Sequence, residues 1–287
     1  MKKTILCMVL AVIASSCEKI VIIENEDSDD SKHYKNVRIS VNGDFCTPTF
    51  TRAALSADGK EMTDLWVFDY VGDDLVQTVH QTNDDADFGE PNVLLSYGDH
   101  SLYFVASRGA NPDLDEDAHT ITWSSVKDTF WNQLDMEVNE SSATDVDVTL
   151  ERVVTKLKLN VNDNVPDALI SITVTPEEWN YGMDYITGEP VSDDGCPITI
   201  GVPESYHGTT GDLSLSVFSI SGSAEWTTDV SIIANGSGNS TLASVSIKDV
   251  PLLANRATVY SGSMFSGGGK FTVSLDADWL SDKVLTW

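Results

Sequence analysis

The sequence predicts an all-β protein built of two successive sandwiches, with one short helix in the first. Three observations indicate this class. Apolar and polar residues alternate with a period of two in several short segments, such as residues 37–41. Gly, Pro, Asn and Asp separate these segments at the intervals typical of sandwiches. The length of 287 residues suits one large domain or two ordinary ones.

The first 16 residues have the composition of a secretory signal peptide. Lys2 and Lys3 precede an apolar run of ten residues, which is too short to span a bilayer because a spanning helix needs about 20. Small residues before Cys17 match the lipobox of bacterial lipoproteins, so we expect Cys17 to become a lipidated N-terminus. Its acyl chains, palmitate among them, would then anchor the protein to the membrane. Residues 17–36 carry a short aliphatic patch and then an acidic run, which predicts a solvated tether.

The negative charge of the chain argues against two classes of binding partner. The formal net charge of −28 argues against nucleic acid, whose phosphates the protein would repel, and against direct binding to anionic lipid heads. Cys46 and Cys196 are the two cysteines outside the predicted signal peptide and lipid site. An oxidising envelope permits a disulfide between them, but their spacing also allows two unpaired thiols.

The first predicted sandwich spans residues 37–151. Val37, Ile39 and Val41 alternate with polar residues, as in a half-buried strand. Residues 65–71 are apolar on nearly both faces and predict a central strand covered on both sides. Residues 75–80 follow a Gly-Asp-Asp turn as the hairpin partner of that strand, and residues 92–96 and 102–106 predict another pair.

One stretch of this half predicts the short helix. Ser124 can cap its N-terminus, while Val126, Phe130 and Leu134 recur every four residues.

The boundary between the sandwiches is predicted near Glu151 and Arg152. Residues 145–150 place their apolar side chains on even positions, whereas residues 153–161 place them on odd positions, so the one-face pattern breaks between the two runs. The second sandwich is therefore assigned to residues 152–287. Its later strands are predicted at residues 169–174, 213–220, 230–234, 241–247, 257–261 and 271–275.

The sequence offers no catalytic or cofactor motif. The five histidines are scattered, and neither an HExxH pattern, a GxSxG elbow nor a phosphate loop occurs. We therefore expect no enzyme, no cofactor and no catalytic or metal-ligating residue. The acidic stretches 83–87 and 113–117 could hold calcium, although such runs are more often solvated loops.

The seven tryptophans support an alternative function, capture of glycans by stacking against sugar rings. Trp66 and Trp131 lie in patterns that predict burial. Trp179, Trp226 and Trp279 are the candidates for exposure, although each could also close the end of a sandwich. The alternative is thus a surface glycan-binding lipoprotein of a polysaccharide uptake system.

Four segments together resemble the fimbrillins, the lipoprotein-derived type V pilus subunits of the Bacteroidales. They are residues 64–70, 101–106, 150–157 and 250–256, the last followed by a strand. Each is weakly specific alone, but with the lipobox they span most of the chain in the order of the family. The acidic residues after Cys17 also resemble the surface-export signal of Bacteroidales lipoproteins.

The resemblance implies two tandem transthyretin-like sandwiches and a mechanism of assembly. The lipidated precursor is expected at the surface of the outer membrane, where an arginine-specific protease removes an N-terminal strand and a strand from another subunit replaces it. Val37, Ile39 and Val41 would mark the removable strand, and cleavage is expected between Arg52 and Ala53, although Arg52 could also be an ordinary loop residue.

The expected product is a fimbrial subunit with a part in cell adhesion. Its partners would be other fimbrial subunits. Stalk, tip and anchor roles stay open, as does a receptor on a host or bacterial surface.

Overall fold

The fold is described from a computed structural model, which covers residues 21–22, 33–43, 62–108, 112–191, 195–266 and 269–276. These residues form twenty β-strands and two short 3-10 turns, at Glu204–Tyr206 and Ser237–Asn239, with no α-helix among them. The predicted all-β, sandwich-like class is confirmed.

The first ten strands lie before the predicted boundary. They are β1 (Val21–Ile22), β2 (Tyr34–Gly43), β3 (Asp64–Val71), β4 (Asp74–Thr82), β5 (Asn92–Ser96), β6 (Gly98–Ser107), β7 (Asp113–Asp115), β8 (Thr120–Thr122), β9 (Thr129–Val138) and β10 (Asp145–Arg152). Eight of them form one sheet in the order β1-β4-β3-β6-β9-β10-β2-β5. The β2, β5 and β10 end of this sheet shares an apolar core with β3, β6 and β9, so the sheet closes over itself as a sandwich.

The ten strands that follow the boundary include the eight of a second sandwich. They are β11 (Val154–Val161), β12 (Leu169–Pro176), β13 (Gly182–Asp184), β14 (Pro190–Val191), β15 (Ile198–Gly201), β16 (Leu213–Ile220), β17 (Trp226–Gly236), β18 (Thr241–Leu252), β19 (Ala257–Ser263) and β20 (Lys270–Asp276). One sheet has the order β16-β11-β19-β20 and the other β15-β12-β17-β18. Alternate residues of both sheets fill a common core, as period-two patterning requires.

A small third layer joins the two halves. Strands β7 and β8 from the first half pair with β13 and β14 from the second, in the order β14-β13-β8-β7. Below them a third core cluster combines residues of the central strand, such as Phe68, with residues of the second half, such as Tyr185. The rings of Phe68 and Tyr185 stack at 3.9 Å, and the Tyr185 and Tyr70 hydroxyls lie 3.0 Å apart. Burial, the largest cause, raises the pKa of Tyr185.

The central strand was predicted correctly. In β3 every residue except Val71 is buried, and β4 and β6 flank it on either side. Leu65 and Val67 face one core cluster, while Trp66 and Phe68 face another. The predicted hairpin partner is confirmed as β4.

The predicted helix over residues 124–134 is wrong. Its second half forms β9, which pairs with β6 over ten consecutive residues. A spacing of four positions places Phe130 and Leu134 on one face of a helix, but it does the same in a strand, where even spacings share a face. Long-range pairing with β6 therefore decides the conformation, and Phe130 is fully buried from a strand.

The predicted pairing of residues 92–96 with residues 102–106 is also wrong. Both segments are strands, but β5 pairs with β2, whereas β6 pairs with β3 and β9. The chain changes layers of the sandwich between them at Tyr97 and Gly98. Gly98 has a φ of +135°, which side-chain-bearing residues rarely adopt.

Candidate functional site

The candidate site is the position of β2, the strand predicted to be removable. On one side β2 runs parallel to β10, with register Arg38 to Asp145. On the other side its first half runs antiparallel to β5, with register Tyr34 to Ser96. Loss of β2 would therefore leave two strands with unpaired N–H and C=O groups facing a gap one strand wide.

The inward face of β2 is entirely apolar over the predicted residues. Val37 and Ile39 are 0% exposed and Val41 is 6% exposed. All three belong to the core cluster that also contains Leu65, Val67 and the apolar residues on one face of β5 and of β6. Removing the strand would thus expose an apolar groove, which favours refilling by another strand of the same pattern.

The second half of β2 pairs with a loop instead of with β5. The N–H of Ile39 donates to the carbonyl of Pro91 at 3.0 Å, and that of Val41 donates to the carbonyl of Gly89 at 2.9 Å. The loop is fixed from behind, since the fully buried Gln81 of β4 accepts a hydrogen bond from the Gly89 N–H at 3.0 Å. This wall of the groove therefore has support that does not involve β2.

A buried histidine fixes the other end of this same wall, where β5 ends. His100 of β6 is bonded at both ring nitrogens: Nδ1 lies 2.7 Å from Asp69 Oδ1, and Nε2 lies 2.8 Å from the carbonyl oxygen of Ser96, the last residue of β5. A carboxylate and a main-chain carbonyl can both accept hydrogen bonds, so this arrangement suits a ring protonated at both nitrogens. The end of β5 is thereby bonded to β3 and β6 independently of β2.

The pKa values of this pair reflect burial and mutual attraction. Burial acts to lower the pKa of His100, but its hydrogen bond to Asp69 and the charge of that carboxylate outweigh burial and raise the pKa. Burial raises the pKa of Asp69, and the hydrogen bond from His100 opposes that effect. The scattered positions of the histidines in the sequence did not indicate this pair. The available signal was Asp69 itself, an acidic residue inside an otherwise apolar strand.

The segments that carry the resemblance meet in space. Residues 64–70 and 101–106 lie in the adjacent strands β3 and β6. Residues 150–157 meet residues 250–256 at Arg152, whose Nη1 donates to Asn255 Oδ1 at 3.2 Å. Arg152 also binds Asp128 through two hydrogen bonds and covers the ring of Phe130 at 4.8 Å. These residues hold the first half against the second.

The observed burial of the tryptophans matches the predictions only in part. Trp66 is buried, as predicted, and Trp131 packs partly buried against the third core cluster. Of the two alternatives left open for Trp179, exposure is excluded: it is 0% exposed, and its Nε1 donates to the carbonyl of Phe218 at 3.0 Å. Trp226 is partly buried against the second sandwich core.

In both acidic stretches an Asp side chain accepts a hydrogen bond from a nearby backbone N–H group. Asp85 Oδ2 accepts a hydrogen bond from the Thr82 N–H at 2.6 Å, and Asp115 Oδ1 accepts one from the Ala118 N–H at 3.0 Å. Within the described ranges, no three His, Cys, Asp or Glu side chains are placed together as metal ligands. In the same ranges no helix is long and apolar enough to cross a bilayer.

Several predicted sites lie outside the described residues. They are the signal peptide, Cys17, Cys46, Arg52, Ala53 and Trp279. Cys196 is described, and its thiol is exposed and free. The domain boundary near residue 151 stays a prediction.

Comparison with known proteins identifies a family. The sequence profile described as a family of unknown function, DUF6562, matches residues 114–286, more than half of the chain. The chain belongs to the DUF6562 family. No curated protein sequence matches it.

Solved structures share the fold of this DUF6562 protein. A candidate adhesin from Bacteroides ovatus aligns with a TM-score of 0.52 at 12% identity, covering 77% of this chain and 84% of its own. A candidate polysaccharide-binding protein (DUF1812) from Bacteroides thetaiotaomicron aligns with a TM-score of 0.50 at 6% identity, covering 84% and 96%. A fimbrial assembly protein from Parabacteroides distasonis aligns with a TM-score of 0.45 at 11% identity, covering 85% and 99%. At these identities the first two alignments show a shared fold and nothing beyond it.

Proposed function

We propose that this protein is a subunit of a surface adhesive fibre, assembled when a strand from another subunit replaces β2. The observation that carries the proposal is the position of β2 between β10 and β5, with its apolar face fully buried. The side of the groove formed by β5 and its preceding loop is held by hydrogen bonds that do not involve β2. That side can therefore persist while one strand leaves and another enters.

The sequence supplies the remaining steps of the proposal. Arg52 follows β2 by nine residues and offers a cleavage site for an arginine-specific protease. Cys17 provides a lipid anchor that places the precursor at the outer membrane surface before cleavage. The fold shared with a candidate adhesin supports a role in adhesion. The proposal assigns no catalytic step to any residue of the chain.

Limited digestion of the mature protein with an arginine-specific protease tests this function. A new N-terminus at Ala53, followed by a ladder of multimers on an unboiled denaturing gel, is the expected result for a polymerising subunit. A cut without a ladder indicates a tip subunit, which accepts a strand and donates none. The matched control is Arg52→Lys, which removes the cleavage site and keeps the charge. A folded protein that is neither cut at Arg52 nor found as oligomers contradicts the proposal for a stalk subunit.

Glycan capture is the second candidate function. The fold likeness to a candidate polysaccharide-binding protein favours it. The burial of Trp179 removes one of its three predicted stacking residues and leaves Trp226 as the described one. Calorimetry against a panel of polysaccharides tests it, with Trp226→Ala as the variant. Heat of binding that Trp226→Ala abolishes supports glycan capture, and no heat with any polysaccharide contradicts it.

A further inference from the structure

A cluster of backbone carbonyls lies at the start of the β2 groove. Lys35 has the same parity as Val37, Ile39 and Val41, so it belongs to the inward face of β2. Its Nζ donates to the carbonyl oxygens of Glu140 at 3.0 Å, Asn139 at 3.3 Å and Ser142. These three carbonyls, in the loop between β9 and β10, are here named the carbonyl cup.

The carbonyl cup is formed without β2. The N–H of Asn139 donates to Ser142 Oγ at 2.9 Å, and Ser142 Oγ donates to the carbonyl of Glu137 at 3.1 Å. The N–H and hydroxyl of Ser141 both donate to Asn139 Oδ1. None of these bonds includes a residue of β2, so departure of that strand would leave three preformed acceptors without their cation.

The geometry of the cup favours lysine over arginine. An ammonium group carries three donors on one nitrogen and can serve three convergent acceptors. The guanidinium of arginine is planar and spreads its donors over three nitrogens, which suits carboxylates and phosphates better than one point of convergence. The Asn139 carbonyl also accepts a hydrogen bond from the Ser142 N–H at 3.2 Å, so a neutral side chain would remove the cation from all three carbonyls and leave those of Glu140 and Ser142 to water.

We propose that the carbonyl cup selects the incoming strand and sets its register, by requiring a lysine two residues before the first buried apolar residue. This inference rests on the proposed strand replacement and adds a rule for the partner. The partner is an extended segment with the pattern Lys-x-apolar-x-apolar-x-apolar, as in Lys35 to Val41. Because the side-chain period of a strand is two, a slip of one residue would remove the lysine from the cup and the apolar residues from the groove.

Peptide binding to the nicked full-length chain tests the rule. The chain is cut at Arg52, or at a protease site engineered within residues 44–61, and fluorescent peptides with the sequence Tyr34–Gly43 are titrated by anisotropy. Lys35→Met in the peptide is expected to weaken binding about 10- to 100-fold, since bonds to a charged group are lost. Lys35→Arg is expected to bind with intermediate strength.

Arg38→Met in the same peptide is the matched control. Arg38 points outward and forms an exposed ion pair with Glu90, so its loss should weaken binding no more than about fivefold. Equal affinity of the parent and Lys35→Met peptides overturns the rule while leaving strand replacement intact. If no peptide binds, strand replacement fails and the rule fails with it.

A second measurement addresses the cup in the intact chain. Lys35→Met should lower the urea midpoint of unfolding more than Arg38→Met does, whether or not the chain is ever cut. An equal or smaller effect of Lys35→Met contradicts a specific role for the cup.

Discussion

Replacement of Ile39 by alanine should lower both the stability of the intact chain and the affinity of the cut chain for β2. Ile39 lies at the centre of the inward face and is 0% exposed. Truncation of a fully buried isoleucine removes its transfer free energy and leaves a cavity, which together cost about 2–5 kcal/mol. In the intact chain this loss should lower the free energy of unfolding. In the chain cut after β2, the same loss should weaken binding of the strand by at least about 30-fold.

Two assays measure these effects. Urea unfolding of the intact variant should show a lower midpoint with an unchanged slope. For the cut chain, a fluorophore at the N-terminal fragment allows its release to be followed after dilution. Ser40→Ala is the matched control, because Ser40 lies on the opposite face of the same strand and should change stability by less than about 0.5 kcal/mol. If the Ile39→Ala fragment is retained as well as the Ser40→Ala fragment, the apolar face does not hold the strand.

Three further predictions concern the surrounding framework. His100→Leu should lower the free energy of unfolding by about 3–5 kcal/mol, because Asp69 is left as a buried unpaired acid, and the double variant Asp69→Leu/His100→Leu should recover most of the loss in urea unfolding. Asp163 accepts hydrogen bonds from three consecutive N–H groups that begin at Met264. Burial acts to raise the pKa of Asp163, but these bonds outweigh burial and lower the pKa, so its contribution is present above about pH 4 and is lost as the pH falls through the lowered value. Asp163→Asn should therefore lower the free energy of unfolding by about 1–3 kcal/mol at neutral pH and by progressively less in acid. A series of urea titrations in which this loss stays constant down to pH 2 contradicts the assignment. Trp179→Phe should lower the free energy of unfolding by about 1–3 kcal/mol, because the hydrogen bond to a main-chain carbonyl is lost. The same variant should leave the calorimetric binding of any saccharide unchanged.

The sequence predicted the strands better than their partners. The period-two pattern located β2 and most later strands, because burial of one face imposes that pattern directly on the residues, and a continuous apolar run located β3. It could not determine pairing, as β5 and β6 show. These strands adjoin in the chain but belong to different layers, and only the long-range contacts of β5 with β2 decide that arrangement.

The outcomes at Phe130 and Trp179 have different physical causes. For Phe130, a spacing of four residues satisfies both helix and strand, so the periodicity carried no information about the conformation. For Trp179, a tryptophan in a strand-poor segment gave no sign of burial, because its burial depends on β16, whose Phe218 supplies the carbonyl. Both outcomes were decided by residues distant in sequence.

The candidate site was predicted in part. The buried face of β2 followed from alternation alone, and the structure places Val37 and Ile39 in the core. Lys35 and His100 were missed because their partners are main-chain carbonyls and one carboxylate, which carry no sequence signature. A lysine in parity with buried apolar residues is the one pattern that could have indicated the carbonyl cup.

Exchange of β2 between two copies of the cut chain tests the central claim most directly. One copy is prepared with ¹⁵N and the other at natural abundance, both are cut after β2, and the mixture is followed by native mass spectrometry. We expect mixed species, in which the β2 fragment of one copy lies in the groove of the other, and Ile39→Ala should speed their appearance. Fragments that stay with their original copies until the whole protein unfolds would show that β2 is a permanent core strand and would refute strand replacement.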